Sequence, residues 1–497
     1  MQTIGYKWLI RRFSLDVLPH HCASFRSEKS ALETTKNSDG AIIELMYPKG
    51  KTCVDSVCGH LEFAVKNEGI NLAILKACFQ QVDAAELTGH ILRKKTGQYV
   101  RKLWFLYEAL TKQKLDIPDL EQGNYVDLLD PEKYYTATPV PQQRQRINLN
   151  LPGTLDFSPQ LRRTDKIKAF EAKALNTRYS EILAGYEEHL AARAVNQLYL
   201  GETRSSFQIE KEDLPADRNI RFKQLLTQAG QQQYLSKEGL LTLHRLIIVD
   251  PRYQTDGYRT TQEYVGSTSF QGEEIHFIPP RPDHLDELMT DFVQCGERML
   301  SSGMHPVAVA AAVSFAFVYV HPFKDGNGRM HRFLIHHILA KKEFTPPGSI
   351  FPVSAVMLRD LKKYQMILNL FSAPLLEHIR HRQDAEGHIS VQNETADYYR
   401  YIDLTSAVEF LFDLIEKTLD TELIQELNFL KRYDEATSEL THLMDGLSSK
   451  ELDLFIKFCR QNNMRLSADK RQKIFPSLTD EEVERMQDVV RRAFETI

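Results

Sequence analysis

His321-Pro-Phe-Lys-Asp-Gly-Asn-Gly-Arg-Met-His-Arg332 is the stretch on which the reading of this chain turns. Gly326, Asn327 and Gly328 reach backbone conformations closed to most residues, so consecutive N–H groups can turn toward one centre. The residues after them, 329–342, read as a helix, with Met330, Phe333, Leu334 and Ile338 spaced for one buried stripe. A glycine-rich loop that opens a helix binds anions, because free N–H groups and the helix dipole face the same point. Arg329 and Arg332 share a face of that helix and can both hold phosphate oxygens. Asp325 offers a hard oxygen ligand for a cation such as Mg²⁺. His321 is the group here that can take a proton near neutral pH. A base, a metal ligand and phosphate donors are the parts that phosphoryl-type transfer requires. The bland alternative is a surface turn beside a core histidine. Eight constrained positions, each matched by chance roughly one time in twenty, make that coincidence negligible.

The string resembles the Fic-family signature H-x-F-x-[D/E]-G-N-G-R-x-x-R at every fixed position. The resemblance implies a mainly helical fold, with a Fic core, a small β-hairpin flap and helical N- and C-terminal regions. It implies a protein adenylyltransferase that moves AMP from ATP onto a Ser, Thr or Tyr hydroxyl of a target protein or of itself. His321 is then the base and Asp325 the Mg²⁺ ligand, with Mn²⁺ as a substitute. Gly326, Asn327 and Gly328 line the anion hole, Arg329 and Arg332 hold the phosphates, and Phe323 is a buried anchor. Kinase-type relatives carry Lys at the position of Gly328. Phosphocholine and UMP transfer use the same motif elsewhere in the family, and the motif alone does not separate them.

The resemblance extends beyond the signature. His305-Pro306 and the apolar run to Val320 are similar to the helix before the motif, and Leu243-His244-Arg245 to an earlier one. Residues 257–266 and 274–280, rich in β-branched and aromatic side chains, read as a hairpin. In the family this hairpin is the flap that pairs with the target's backbone, with Gly257, Tyr258, Arg259, Phe277 and Ile278 as expected contacts. Ser206-x-x-x-Glu210 resembles the motif of an inhibitory helix, expected at about 180–212. There the Glu pairs with the second motif arginine, Arg332. Lys211 stands where that pattern wants Gly or Asn. Thr177…Glu181 fits more loosely. Such enzymes also run de-AMPylation at the same site, with a metal switch setting the balance.

At 497 residues the chain has room for two to four domains. Three regions are expected: 1–155, 156–385 with the Fic core, and 386–497. The first is expected to end in a linker-like stretch with Pro139, Pro141, Pro152 and Gly153. The last carries two capping boxes, Ser448…Glu451 and Thr479…Glu482, and amphipathic helices at Thr405–Lys417 and Glu481–Glu495. A net charge of −5 with 26% charged residues gives no whole-chain attraction to nucleic acid or membrane. The cluster Arg93, Lys94, Lys95, Arg101, Lys102, with Tyr99 and Trp104, reads first as a solvated helix face. A nucleotide-sensing DNA-binding regulator acting through residues 1–155 is the reading from another class. Six scattered cysteines need no disulfide framework. Cys53, Cys58 and His60 lack a second ligand pair at zinc spacing. No leader pattern follows Lys7, Arg11 and Arg12, so the expected compartment is the cytoplasm. A homodimer is compatible with all of this.

Overall fold

The computed structural model describes residues 2–38, 41–212, 215–248, 250, 252–269, 272–444 and 446–494. The chain is mainly helical, as expected, but the N-terminal region also carries strands. β1 (Gln2–Ile4), β2 (Ala23–Ser27), β3 (Glu33–Lys36) and β4 (Ile42–Pro48) form a mixed sheet in the order β1-β2-β4-β3, with β2 and β4 parallel. Phe25 and Tyr47 turn inward from it, and Tyr47 meets Phe63 edge to face. α1 (Tyr6–Phe13) packs on the sheet and gathers a helical core with α2 (Val57–Asn67), α3 (Leu72–Phe79), α4 (Ala84–Arg93) and α5 (Gln98–Thr111). Caps by Ser56, Asn71 and Asp83 start α2, α3 and α4.

The stretch expected to be a linker is folded. β5 (Val126–Asp127), β6 (Val140–Gln142) and β7 (Ile147–Leu149) make a small sheet, and Ile147 and Leu151 sit in the N-terminal core. The prolines at 139 and 141 flank or occupy a three-residue strand at the sheet's edge, where a missing N–H is tolerated. The basic cluster is divided as well. Trp104 is fully buried and Arg101 is buried, donating to the carbonyls of Gln145 and Asn124, so the cluster is no continuous exposed face.

The largest core is built around α12 (Pro306–Val320). It is preceded by α6 (Asp165–Glu171), α7 (Leu175–Ala184), α8 (Glu188–Ile209), α9 (Ala216–Thr227), α10 (Lys237–Ile247) and α11 (Leu285–Leu300). After α12 come α13 (Asn327–Lys341), α14 (Val353–Arg359) and α15 (Leu361–Leu376). Pro306 at the first position, capped by His305, starts α12, and nearly every residue in it is buried. Burial on all sides makes it the fold's central rod. α13 lies against it and is buried all round too, beyond the single stripe expected. Its three histidines are accommodated by polar partners: His331 at Ser314 O, His336 at Glu202 and His337 at Ala229 O.

Two further elements cover the core. β8 (Val265–Ser269) and β9 (Gly272–Phe277) pair as an antiparallel hairpin, and β9 lies on α15. A hairpin of β10 (His381–Gln383) and β11 (Ile389–Val391) follows, then α16 (Ala396–Arg400) and α17 (Thr405–Lys417), which packs across α12. α18 (Ile424–Leu443), α19 (Ser449–Gln461), α20 (Ala468–Ile474) and α21 (Asp480–Phe494) gather a separate small core. Both expected capping boxes are formed; Glu495 lies outside the described residues. All six cysteines are free thiols. Among the described residues no helix is long and apolar enough to cross a membrane.

Candidate active site

The site is assembled where α12 ends and α13 begins. His321 caps α12 in the left-handed conformation (φ 51°), which swings the chain out of the helix and into the loop. Its Nδ1 lies 3.1 Å from Val318 O, so that nitrogen carries the proton and Nε2 is left to accept one. Burial pushes its pKa down to about 4, against the pull of that hydrogen bond, so the imidazole is neutral at physiological pH.

The loop is held by its own side chains. Asn327 Oδ1 accepts from Phe323 N at 3.1 Å, and its Nδ2 donates to Phe323 O at 2.7 Å. The amide expected at the anion hole is therefore spent on closing the loop, and only the backbone N–H of Asn327 is left for a ligand. Gly326 has φ 86°, and a Cβ there would strike Ile248 Cδ1 at 2.6 Å. His244 stacks on Phe323 with centroids 4.2 Å apart, and its Nε2 lies 3.1 Å from Asp325 O. Leu243-His244-Arg245 was singled out in the sequence, but the work of this histidine becomes visible only in three dimensions.

Ser206 and Glu210, more than a hundred residues upstream, close on the same loop. Arg332 Nε donates to Ser206 Oγ at 2.9 Å, and its Nη2 donates to Ser206 O at 2.6 Å and Glu210 Oε1 at 2.7 Å. The guanidinium is 1% exposed. Burial alone would lower its pKa; the Glu210 carboxylate more than offsets this and holds it above its ordinary value. The carboxylate also lies over Gly328, where a Cβ would come within 2.2 Å of Glu210 Oε1. Gly328 is thus needed for the close approach of an anion, and in this structure that anion is Glu210.

The segment expected as one helix over about 180–212 is two, α7 and α8, broken at Gly185. Glu181 is exposed on α7. α8 ends in a Schellman turn: Lys211 N donates to Gln208 O and Glu212 N to Phe207 O, with Lys211 at φ 57°. This conformation explains the Gly or Asn of the resembling pattern, since both tolerate a positive φ better than lysine. The turn delivers a residue not anticipated from sequence. Arg329 Nη1 donates to Glu212 Oε2 at 2.8 Å and its Nη2 lies 2.8 Å from Glu212 Oε1, while Asp325 Oδ2 accepts from Nη2 at 3.0 Å. Asp325 Oδ1 takes the Gly326 N–H at 2.6 Å.

Residues 234–339, which contain the whole loop, match the model of the Fic/DOC family. The chain carries a Fic domain. It is 28% identical over 228 residues to a protein from Culex quinquefasciatus named Protein adenylyltransferase Fic, covering 46% of this chain and 34% of that one. To the protein of the same name from Drosophila mojavensis it is 27% identical over 274 residues, covering 52% and 46%. The chain thus spans between a third and a half of the length of these relatives. A crystal structure of a Fic family protein from Desulfovibrio desulfuricans G20 aligns with 66% of this chain and 87% of its own, at 16% identity and a TM-score of 0.38.

The hairpin of the Fic domain stands beside His321, but its expected contact residues mostly face inward. Arg259 is 6% exposed; its Nε donates to His321 O at 2.9 Å, Nη1 to Thr261 O at 2.9 Å and Nη2 to Pro280 O at 2.5 Å. Phe277 is buried against Tyr319 and Tyr399, its ring 6.3 Å from that of His321. Ile278 is fully buried, its carbonyl accepting from Tyr399 Oη at 2.6 Å. The side chains of these three act as struts and do not face a target. Residues 257–264 precede the hairpin rather than forming its first strand, with Gly257 and Tyr258 half-buried and Tyr258 packed on Phe323. Phe270 and Gln271, within the expected flap range, lie outside the described residues.

Proposed function

We propose that this chain is a protein adenylyltransferase, held at rest by Glu210. Its reaction joins the hydroxyl oxygen of a Ser, Thr or Tyr on a target protein to the α-phosphorus of ATP. The bond from that phosphorus to the bridging oxygen of the β-phosphate breaks, and pyrophosphate leaves. His321 Nε2 takes the hydroxyl proton. The N–H groups of Asn327 and Gly328, that of Gly326 once Asp325 releases it, and the guanidiniums of Arg329 and Arg332 hold charge on the phosphates. Asp325, a partly exposed carboxylate at the mouth of the loop, is the hard donor that Mg²⁺ or Mn²⁺ would use. Such an ion would neutralise phosphate charge.

The observation that carries this reading is the pairing of Glu210 with Arg332 above Gly328. A buried guanidinium and a glycine-lined anion seat have no structural need for each other, and a carboxylate already fills the place a phosphate would take. In this reading the catalytic region lies within 156–385, with 1–155 and 386–497 as flanking regions. Incubation with α-labelled and, separately, γ-labelled ATP tests the activity. Protein labelled from the α position alone is expected; label retained from γ alone would make the chain a kinase.

A further inference from the structure

We infer that Glu212 is a positioning residue for Arg329, a second carboxylate that must release its arginine before nucleotide can bind productively. The inference rests on the proposal that the loop takes ATP. Arg329 and Arg332 are one helical turn apart, and each is buried and each is held by an acid from the same short segment. Their restraints differ in kind. Glu210 caps the end of α8, whereas Glu212 lies two residues beyond it, delivered by the turn at Lys211. Arg329 also lies over the Phe207 ring, 5.5 Å from its centroid, so one face of the guanidinium is covered by α8 itself.

The local charges show why this matters. Glu210, Glu212 and Asp325 face Arg329 and Arg332, with Arg218 at the rim 3.8 Å from Glu212, so both buried arginines are already neutralised by carboxylates at rest. A polyanionic nucleotide entering against three carboxylates is repelled unless at least one withdraws. Glu210 is on the helix end, and α8 is pinned by buried Glu202, which accepts from Ser354 N at 2.8 Å and pairs with His336 Nε2 at 2.7 Å. Both acids are about one-third exposed, but Glu212 lies past the helix, so it is the acid that can swing away without moving α8. While Glu212 stays, Arg329 also remains on Asp325. Withdrawal frees the arginine for phosphate, and with Arg329 turned to phosphate Asp325 is free for a cation.

The test uses the full chain and a non-hydrolysable ATP analogue with Mg²⁺, measured by calorimetry, with thermal melts to check folding. Glu212→Gln is expected to tighten the analogue's Kd by roughly 3- to 10-fold, the scale of a charged contact near the surface. In the Glu210→Gly background it should lower KM for ATP by a similar factor and leave kcat unchanged, a split that a merely structural role would not produce. An unchanged Kd in Glu212→Gln, with the double variant matching Glu210→Gly in KM, overturns the inference. If Glu212→Gln tightens analogue binding but no variant transfers α-label, the proposed activity falls while the role of Glu212 stands.

Discussion

The 321–332 loop and the β8–β9 hairpin with its flanking segments both border His321, and they use their side chains in opposite ways. In the loop, His321, Asp325, Arg329 and Arg332 turn their polar groups toward one small volume, and the backbone is bent to let them. In the hairpin and its approaches, Arg259, Phe277 and Ile278 turn inward and hold the histidine's surroundings in place. On the proposed function, the loop supplies chemistry through its side chains. The hairpin supplies support, and whatever it offers a target must come from its backbone and its exposed strand residues, such as Val265. A target held that way is selected weakly by sequence.

Four substitutions or conditions break or sharpen this contrast. His321→Ala removes the base and should lower α-label transfer by about 10²- to 10⁴-fold with little change in melting temperature. Arg259→Ala should act on stability first, and on activity through it. Three carbonyls lose a buried donor, and the fold should lose about 2–4 kcal/mol in denaturant titration. Activity would fall because the backbone of His321 is no longer braced; a stable, fully active variant would sink the strut assignment. Next comes pH. His321 is neutral above its folded pKa of about 4, so transfer per folded molecule should be level from pH 8 down to about 5 and fall only as pH drops through 4. Because its folded pKa lies below the unfolded value, the unfolded chain binds the extra proton first. The stability this histidine contributes is thus present above pH 6.5 and lost between 6.5 and 4. The smallest effect is expected at Lys211. Lys211→Gly relieves a left-handed lysine and should stabilise the end of α8 by about 1 kcal/mol, tightening the hold of Glu210 rather than loosening it.

Legibility in the sequence followed how local each feature is. The loop could be read because its parts lie within twelve residues and each residue type has one physical use there. Ser206 and Glu210 could be read because they match the resembling pattern's spacing of four, and they do share Arg332. Glu212 could not: a Schellman turn reverses the chain between it and Glu210, so helical spacing no longer says where it points. The same limit applies to the hairpin. β-branched and aromatic residues announce strands, but not which side of a strand faces the core, and Arg259 looks like a surface residue until its three carbonyl partners are seen. The N-terminal sheet escaped for a related reason. β2 and β4 pair in parallel across an intervening strand, and β3, Glu33-Thr-Thr-Lys36, is polar throughout. The folded stretch at 126–149 was hidden by its prolines, which mark an edge strand as readily as a linker.

The central claim is that Glu210 occupies the arginine that ATP needs. Automodification with α-labelled ATP, compared between the wild-type chain and Glu210→Gly at equal folded concentration, tests it most directly. A gain of at least tenfold in Glu210→Gly, abolished when His321→Ala is added, is the predicted result. Equal labelling of the two chains would contradict it.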